Sequence, residues 1–172
     1  MMTQVDVVVT FLEMTSPAQL RPASAVISGV ALRRELPPAA VGLAAQLYRL
    51  VGKGYHWADR LLWNEAEWRA AIDQPEVELW TAREGETIVG YFELEHRGDA
   101  GEIRYFGLLP DFHGRGIGGW LLTEAVRRAW QFRVQRVTVN TCTLDGAAAL
   151  PNYRSRGFVV VREDQQRRDI GT

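Results

Sequence analysis

The residues with the clearest chemistry lie between positions 110 and 119, where PDFHGRGIGG joins the end of a strand-like run to the start of a long amphipathic one. Gly114, Gly116, Gly118 and Gly119 put four residues without a Cβ at one helix entrance. The first N–H groups of a helix lack internal acceptors and its dipole places about half a positive charge there, so such a junction suits an anion. A diphosphate fits it best, and Arg115 offers a charge-assisted contact. The competing explanation is a tight turn with close helix packing. Gly114, Gly116 and Gly119 match the letters GxGxxG of dinucleotide folds but not their context. That unit needs several further βαβ units and an acidic residue about 20 positions on, where Val139 and Asn140 stand here. No Gly-Lys-Ser or Gly-Lys-Thr occurs, which removes a Walker A loop.

The elements that must position this junction follow from periodicity. Residues 5–13 are β-branched and read as a strand, with a Pro/Ser/Ala-rich connector over 15–28. Residues 37–50 carry apolar side chains at helical spacing behind a Pro pair, stopped by Gly52 and Gly54. Asn64 and Glu67 form a capping-box pattern opening a second helix, ended by Pro75. Strands are expected over 77–83, 87–95 and 102–109 as an antiparallel meander. A strong helix follows over 116–132, then a strand over 136–143, a short helix over 146–156 and a last strand over 158–162. Only ten residues follow Arg162, so the strand at 5–13 is expected to fill a vacant sheet edge. The pattern predicts an α/β domain, a mixed sheet with helices on both faces.

Composition narrows the partners. Twenty basic and 21 acidic residues give a net charge of −1, which supplies no broad positive field for nucleic acid or an anionic membrane. The single Cys142 cannot close an intramolecular disulfide, and no Cys/His cluster suggests a metal. No run approaches the ~18 apolar residues of a membrane span and the N-terminus lacks signal-peptide features, so a cytoplasmic protein is expected. A homodimer is left open. With 172 residues and 47% of them hydrophobic, one domain with a full core is expected.

The junction resembles the signature of the GCN5-related N-acetyltransferase superfamily, Q/RxxGxG/A, read here as His113, Gly114, Arg115, Gly116, Ile117 and Gly118. A second family pattern, Tyr followed by xxxGF, appears at Tyr153, Gly157 and Phe158, about 40 residues on. His113 replaces the usual Gln or Arg, Asp145 stands near the usual Asn, and Pro151 interrupts the spacing before the Tyr. The resemblance covers residues 37–162 and leaves 1–35 as an N-terminal extension. It implies a mostly antiparallel twisted sheet with a V-shaped splay between the strands flanking the pyrophosphate helix. It also implies acetyl-CoA as cofactor, its pyrophosphate on the 114–119 amides and its pantetheine arm along the backbone of Leu108 and Leu109. The activity implied is direct transfer of an acetyl group to a small-molecule or peptide amine; a non-catalytic acyl-CoA-binding module on the same scaffold is the alternative.

Proton chemistry follows from the acceptor. An amine of pKa about 10.4 must lose a proton before attacking a thioester, at a cost of ~4.6 kcal/mol at pH 7. By the resemblance, Glu102, 11 residues before His113, falls where several family members carry a general base. The alternative is a surface Glu paired with Arg104, two positions on, which would weaken it as a base. Tyr153 resembles the general acid for the leaving thiolate, against a core Tyr anchoring the short helix. Asn140 is a candidate for contacting acceptor or pantetheine, against satisfying a neighbouring bulge. His56 and Trp57, with Asp59 nearby, are candidates for the acceptor pocket, in which the carboxylate would neutralise the ammonium. Trp63 and Trp68 read as core, and Cys142 as a small buried hydrophobe.

Overall fold

The computed structural model describes residues 1–171. Seven strands form one sheet: β1 (Met2–Met14), β2 (Val30–Glu35), β3 (Val77–Glu84), β4 (Thr87–Arg97), β5 (Ala100–Leu108), β6 (Arg136–Cys142) and β7 (Val159–Gly171), in the order β2-β3-β4-β5-β6-β1-β7. Every pairing is antiparallel except β5 with β6. Helices α1 (Ala39–Gly52) and α2 (Glu65–Ile72) cover one face, and α3 (Ile117–Trp130) and α4 (Ala149–Ser155) the other.

Period-2 alternation divides the sheet between two cores. Leu79, Tyr91 and Tyr105 pack toward α1 and α2, whereas Phe92, Leu94, Phe106 and Leu108 pack toward α3. The predicted stripe of α3 is buried at Ile117, Leu121, Leu122, Ala125, Val126 and Ala129. The capping box of α2 is complete: Glu67 N–H donates to Asn64 Oδ1 at 3.0 Å and Asn64 N–H to Glu67 Oε2 at 2.7 Å.

The parallel ladder between β5 and β6 is short. It pairs Ala100 to Ile103 with Arg136 to Val139 and then stops, so beyond Ile103 the two strands diverge and β5 keeps one open edge. A bulge falls at the same place, because Glu93 opposes Tyr105 and Leu94 opposes Ile103, leaving Arg104 without a partner. This splay is what the site is built in.

Three features depart from the sequence expectation. Strand β2 was not anticipated; it is an edge strand with alternating exposed residues, held by its ladder with β3 rather than by burial. The last strand does not stop at Arg162 but runs to Gly171. Its polar second half shows no apolar alternation and is defined by pairing with β1, from Glu13 opposite Val159 to Met2 opposite Gly171. The N-terminal strand therefore does not fill an edge: it lies inside the sheet, between β6 and β7. Among the described residues no helix is long and apolar enough to cross a membrane.

Candidate active site

The splay opens into a cleft of about 1080 Å³. Its walls come from the end of β5, the glycine turn, β6, α4 and the segment after α1.

At the turn, Gly114 and Gly116 have φ of +78° and +77°, a region that side chains with a Cβ rarely occupy. Gly116 is the N-cap of α3 and no side chain caps it. Among the described residues, no side-chain or loop acceptor takes the N–H groups of Gly114, Arg115 or Gly116. The first-turn donors of α3 have none within the helix. The turn is thus neither plugged nor internally satisfied. His113 ties it to β5, its Nε2 lying 3.3 Å from the Leu108 carbonyl oxygen, which accepts only from the Nε2–H tautomer. The glycine at 118 faces Leu108 and Asn152 at ordinary contact distance, and Asn152 Nδ2 donates to the Gly118 carbonyl at 3.2 Å.

Most of the residues expected at the cofactor site line this cleft: Leu108, His113, Gly114, Gly116, Gly118, Gly119 and Asn140. Three lie elsewhere. Arg115 turns outward to Glu84 at 2.8 Å, and Ile117 is buried in the core. Leu109 lies outside the lining and its N–H donates to the Val89 carbonyl at 2.9 Å.

Glu102 and Tyr153 both line the cleft. Glu102 pairs with Arg97 at 3.2 Å, not with Arg104 as its spacing suggests. The bulge carries Arg104 to Glu95, at 2.7 Å, so two opposed acids on β4 and β5 each receive an arginine from the other strand. Tyr153 packs among Phe106 and Phe158, and its hydroxyl makes no hydrogen bond among the described residues. Burial, reinforced by Asp145 and Tyr55, pushes its phenol well above the ordinary value. It therefore stays protonated. Full proton transfer from such a phenol to a thiolate whose acid has a pKa of about 8.5 would be uphill, which leaves it a hydrogen-bond donor to a group in the cleft.

The opposite wall is made by side chains. After α1 the chain turns through His56, at φ +56°, and lays the Trp57 indole on Gly52. Trp57 Nε1 donates to Asp145 Oδ1 at 3.4 Å, and Tyr55 lies against Gly146, so this segment reaches across to the β6–α4 connection. Asp145 is itself fixed by Thr141 Oγ1 at 2.5 Å and Cys142 N–H at 3.0 Å. Asp59 accepts from the hydroxyls of Tyr48, at 2.7 Å, and Tyr105. Burial first and the Asp59 carboxylate second hold the Tyr48 phenol above its ordinary value. Tyr105 is raised by burial and by Asp59, with Arg60 opposing. Both remain donors to the Asp59 carboxyl oxygens. His56, Trp57 and Asp59 all line the cleft.

Beneath them lies a pair that the sequence did not disclose. Arg60 and Glu93, each 1% exposed, are joined by two hydrogen bonds of 2.8 and 2.9 Å. The Arg60 guanidinium also stacks over Tyr105 at 4.3 Å and Trp63 at 4.7 Å. Asp145 and Asn152 were likewise not singled out as site residues. Among the described residues no group of three or more His, Cys, Asp or Glu is placed to hold a metal.

Comparison with known proteins agrees with this architecture. The family model described as "Acetyltransferase (GNAT) family" matches residues 44–158, and the chain belongs to that family. Over 100 residues it is 33% identical to the N-alpha-acetyltransferase RimI of Mycobacterium tuberculosis, covering 56% of this chain and 61% of that protein. Over 107 residues it is 32% identical to a mycothiol acetyltransferase of Corynebacterium aurimucosum, covering 58% of this chain and 34% of that one. Less than two thirds of either relative is spanned. A GCN5-related N-acetyltransferase structure from Sphaerobacter thermophilus superposes with a TM-score of 0.72 at 19% identity, covering 98% of this chain and 53% of that one, which establishes the shared fold.

Proposed function

We propose that this chain is an acetyl-CoA-dependent N-acetyltransferase that moves the acetyl group directly to an amine while both substrates occupy the cleft. One observation carries the proposal: a turn of free N–H donors opens onto the same cleft as a carboxylate, a protonated phenol and an aromatic-walled Asp. The donor set fits the coenzyme, with the turn from Gly114 to Gly119 for its diphosphate and the open edge of β5 for an amide-bearing arm. When bound, acetyl-CoA supplies an activated thioester. The chain's residues do the rest. Asp59 holds the acceptor ammonium near the cleft, and Glu102 takes the proton that the nitrogen must lose, directly or through water. The C–N bond forms, the C–S bond breaks, and Tyr153 donates a hydrogen bond to the departing sulfur. Most of the acceleration comes from holding two reactants in one geometry.

The names of the relatives support an amine acceptor on either a peptide N-terminus or a small molecule. The test is release of free coenzyme A thiol from acetyl-CoA against a panel of peptide N-termini and small amines. Turnover on a member of the panel is expected. Tight coenzyme binding with no turnover on any acceptor would select the non-catalytic acyl-CoA module instead, a role favoured by one observation, the engagement of Glu102 with Arg97. If Glu102 is the base, Glu102→Gln flattens the alkaline rise of the rate; a profile superimposing on that of the wild type places the base elsewhere.

A further inference from the structure

Arg156 sits in an arrangement that the acetyl transfer described so far does not use. Its side chain crosses to the first turn of α3, where Nη1 lies 2.6 Å from the place a Cβ on Gly119 would occupy. Any larger residue at 119 would displace the guanidinium. The backbone of Arg156 is fixed: its N–H donates to the Asn152 and Tyr153 carbonyls, and its carbonyl accepts from Arg21 N–H at 2.9 Å. The side chain is not satisfied in the same way. Its Nε is buried with no hydrogen-bond partner, and among the described residues no carboxylate pairs with the guanidinium.

Arg156 is itself the C-cap residue of α4, and its guanidinium reaches the N-terminal end of α3, beside the positive pole and the unsatisfied first-turn donors. A buried polar atom left without a partner calls for an explanation. An anion at the turn that accepted from both the guanidinium and the first-turn donors would satisfy both. The other arginine of this turn, Arg115, is taken by Glu84 and turned away, so it does not fill that role.

We infer that Arg156 is a phosphate ligand of the cofactor site, donating to the diphosphate that the Gly114 to Gly119 amides receive. This rests on the coenzyme assignment above. It adds a charged side chain to a site otherwise built from backbone, and it gives the absence of a side chain at Gly119 a purpose: the guanidinium occupies that space.

Calorimetric titration tests it with three ligands: coenzyme A, its 3′-dephospho form and phosphate-free pantetheine. Arg156→Gln is expected to weaken coenzyme A and the dephospho form by the same factor, about tenfold to a hundredfold, and to leave pantetheine unchanged. Arg156→Lys should retain part of the affinity. Unchanged coenzyme A affinity in Arg156→Gln overturns the inference, as does a loss confined to coenzyme A, which would assign the guanidinium to the 3′-phosphate. Failure of the wild type to bind coenzyme A overturns the coenzyme assignment itself. Should Arg156→Gln not fold, Gly119→Ala displaces the guanidinium without removing its charge and is expected to weaken both phosphorylated ligands alike; unaltered binding of both would again overturn the inference.

Discussion

The two sides of the cleft are made of different material. On the glycine side the donors are backbone groups, held by a turn and the start of one helix, within ten consecutive residues. On the aromatic side the same cavity is bounded by Trp57, Asp59 and Tyr105, backed by Tyr48 of α1 and a buried Arg60–Glu93 pair. Backbone recognition tolerates substitution of neighbouring side chains that do not themselves touch the ligand, as long as the turn survives. A side-chain network does not, because each member is satisfied by the others. The coenzyme side should therefore change mainly in affinity when mutated, and the acceptor side mainly in stability.

The sharpest break comes from Arg60→Ala. It leaves the Glu93 carboxylate buried without its partner and removes the cation beneath Tyr105 and Trp63, so a loss of about 3–5 kcal/mol is expected in the unfolding free energy from urea titration. A loss below about 1 kcal/mol would mean the pair is not what holds that wall. Next in size is Gly118→Asp. Its Cβ would point into the cleft between Leu108 and Asn152 without a clash, whereas one at Gly116 would meet Ala25 first. An acid in the first turn suits the helix dipole, so the fold should hold while coenzyme A affinity falls on the order of a hundredfold by calorimetry. Retained affinity would move the diphosphate away from this turn.

Alkaline pH separates the two sides without mutation. Tyr48, Tyr91 and Tyr105 on the aromatic side, and Tyr153 on the other, all have phenols raised by burial above the ordinary value near 10. The folded state thus keeps protons that the unfolded chain gives up. Their contribution is fully present below about pH 10 and is lost as pH rises beyond it, by up to ~1.4 kcal/mol per pH unit for each tyrosine. Unfolding midpoints should be flat from about pH 8 to 10 and drop above; a midpoint unmoved at about pH 11 would contradict the burial of these rings. The smallest change expected is Trp57→Phe, which keeps the ring packing but loses the bond to Asp145. It should raise the acceptor KM about threefold to tenfold in the thiol-release assay and leave coenzyme affinity alone. An effect on coenzyme affinity instead would blur the division between the sides.

The same contrast explains what could be read in advance. The glycine turn, the stripe of α3 and the cap of α2 are local patterns, and each stands where its spacing put it. Arg60 and Glu93 are 33 residues apart and look ordinary in sequence, one in a polar loop and one at a strand position that alternation would allow to face water. Only the fold brings them together. Arg104 misled for a related reason: its i,i+2 spacing from Glu102 implies a shared face, and the bulge between them cancels it. The second half of β7 has no pattern at all, since its residues are ordered by a neighbouring strand rather than by a core.

That neighbouring strand has a consequence for how the molecule assembles. Val9 lies opposite Cys142 and Asp164, and Met2 opposite Gly171, so β1 pairs with the two strands farthest from it along the chain. Until those pairings close, a valine-rich stretch keeps both hydrogen-bonding edges bare. Pairings so distant along the chain are slow to close and prone to intermolecular association. Folding at high concentration, rather than the folded protein, is where this topology is most exposed to association.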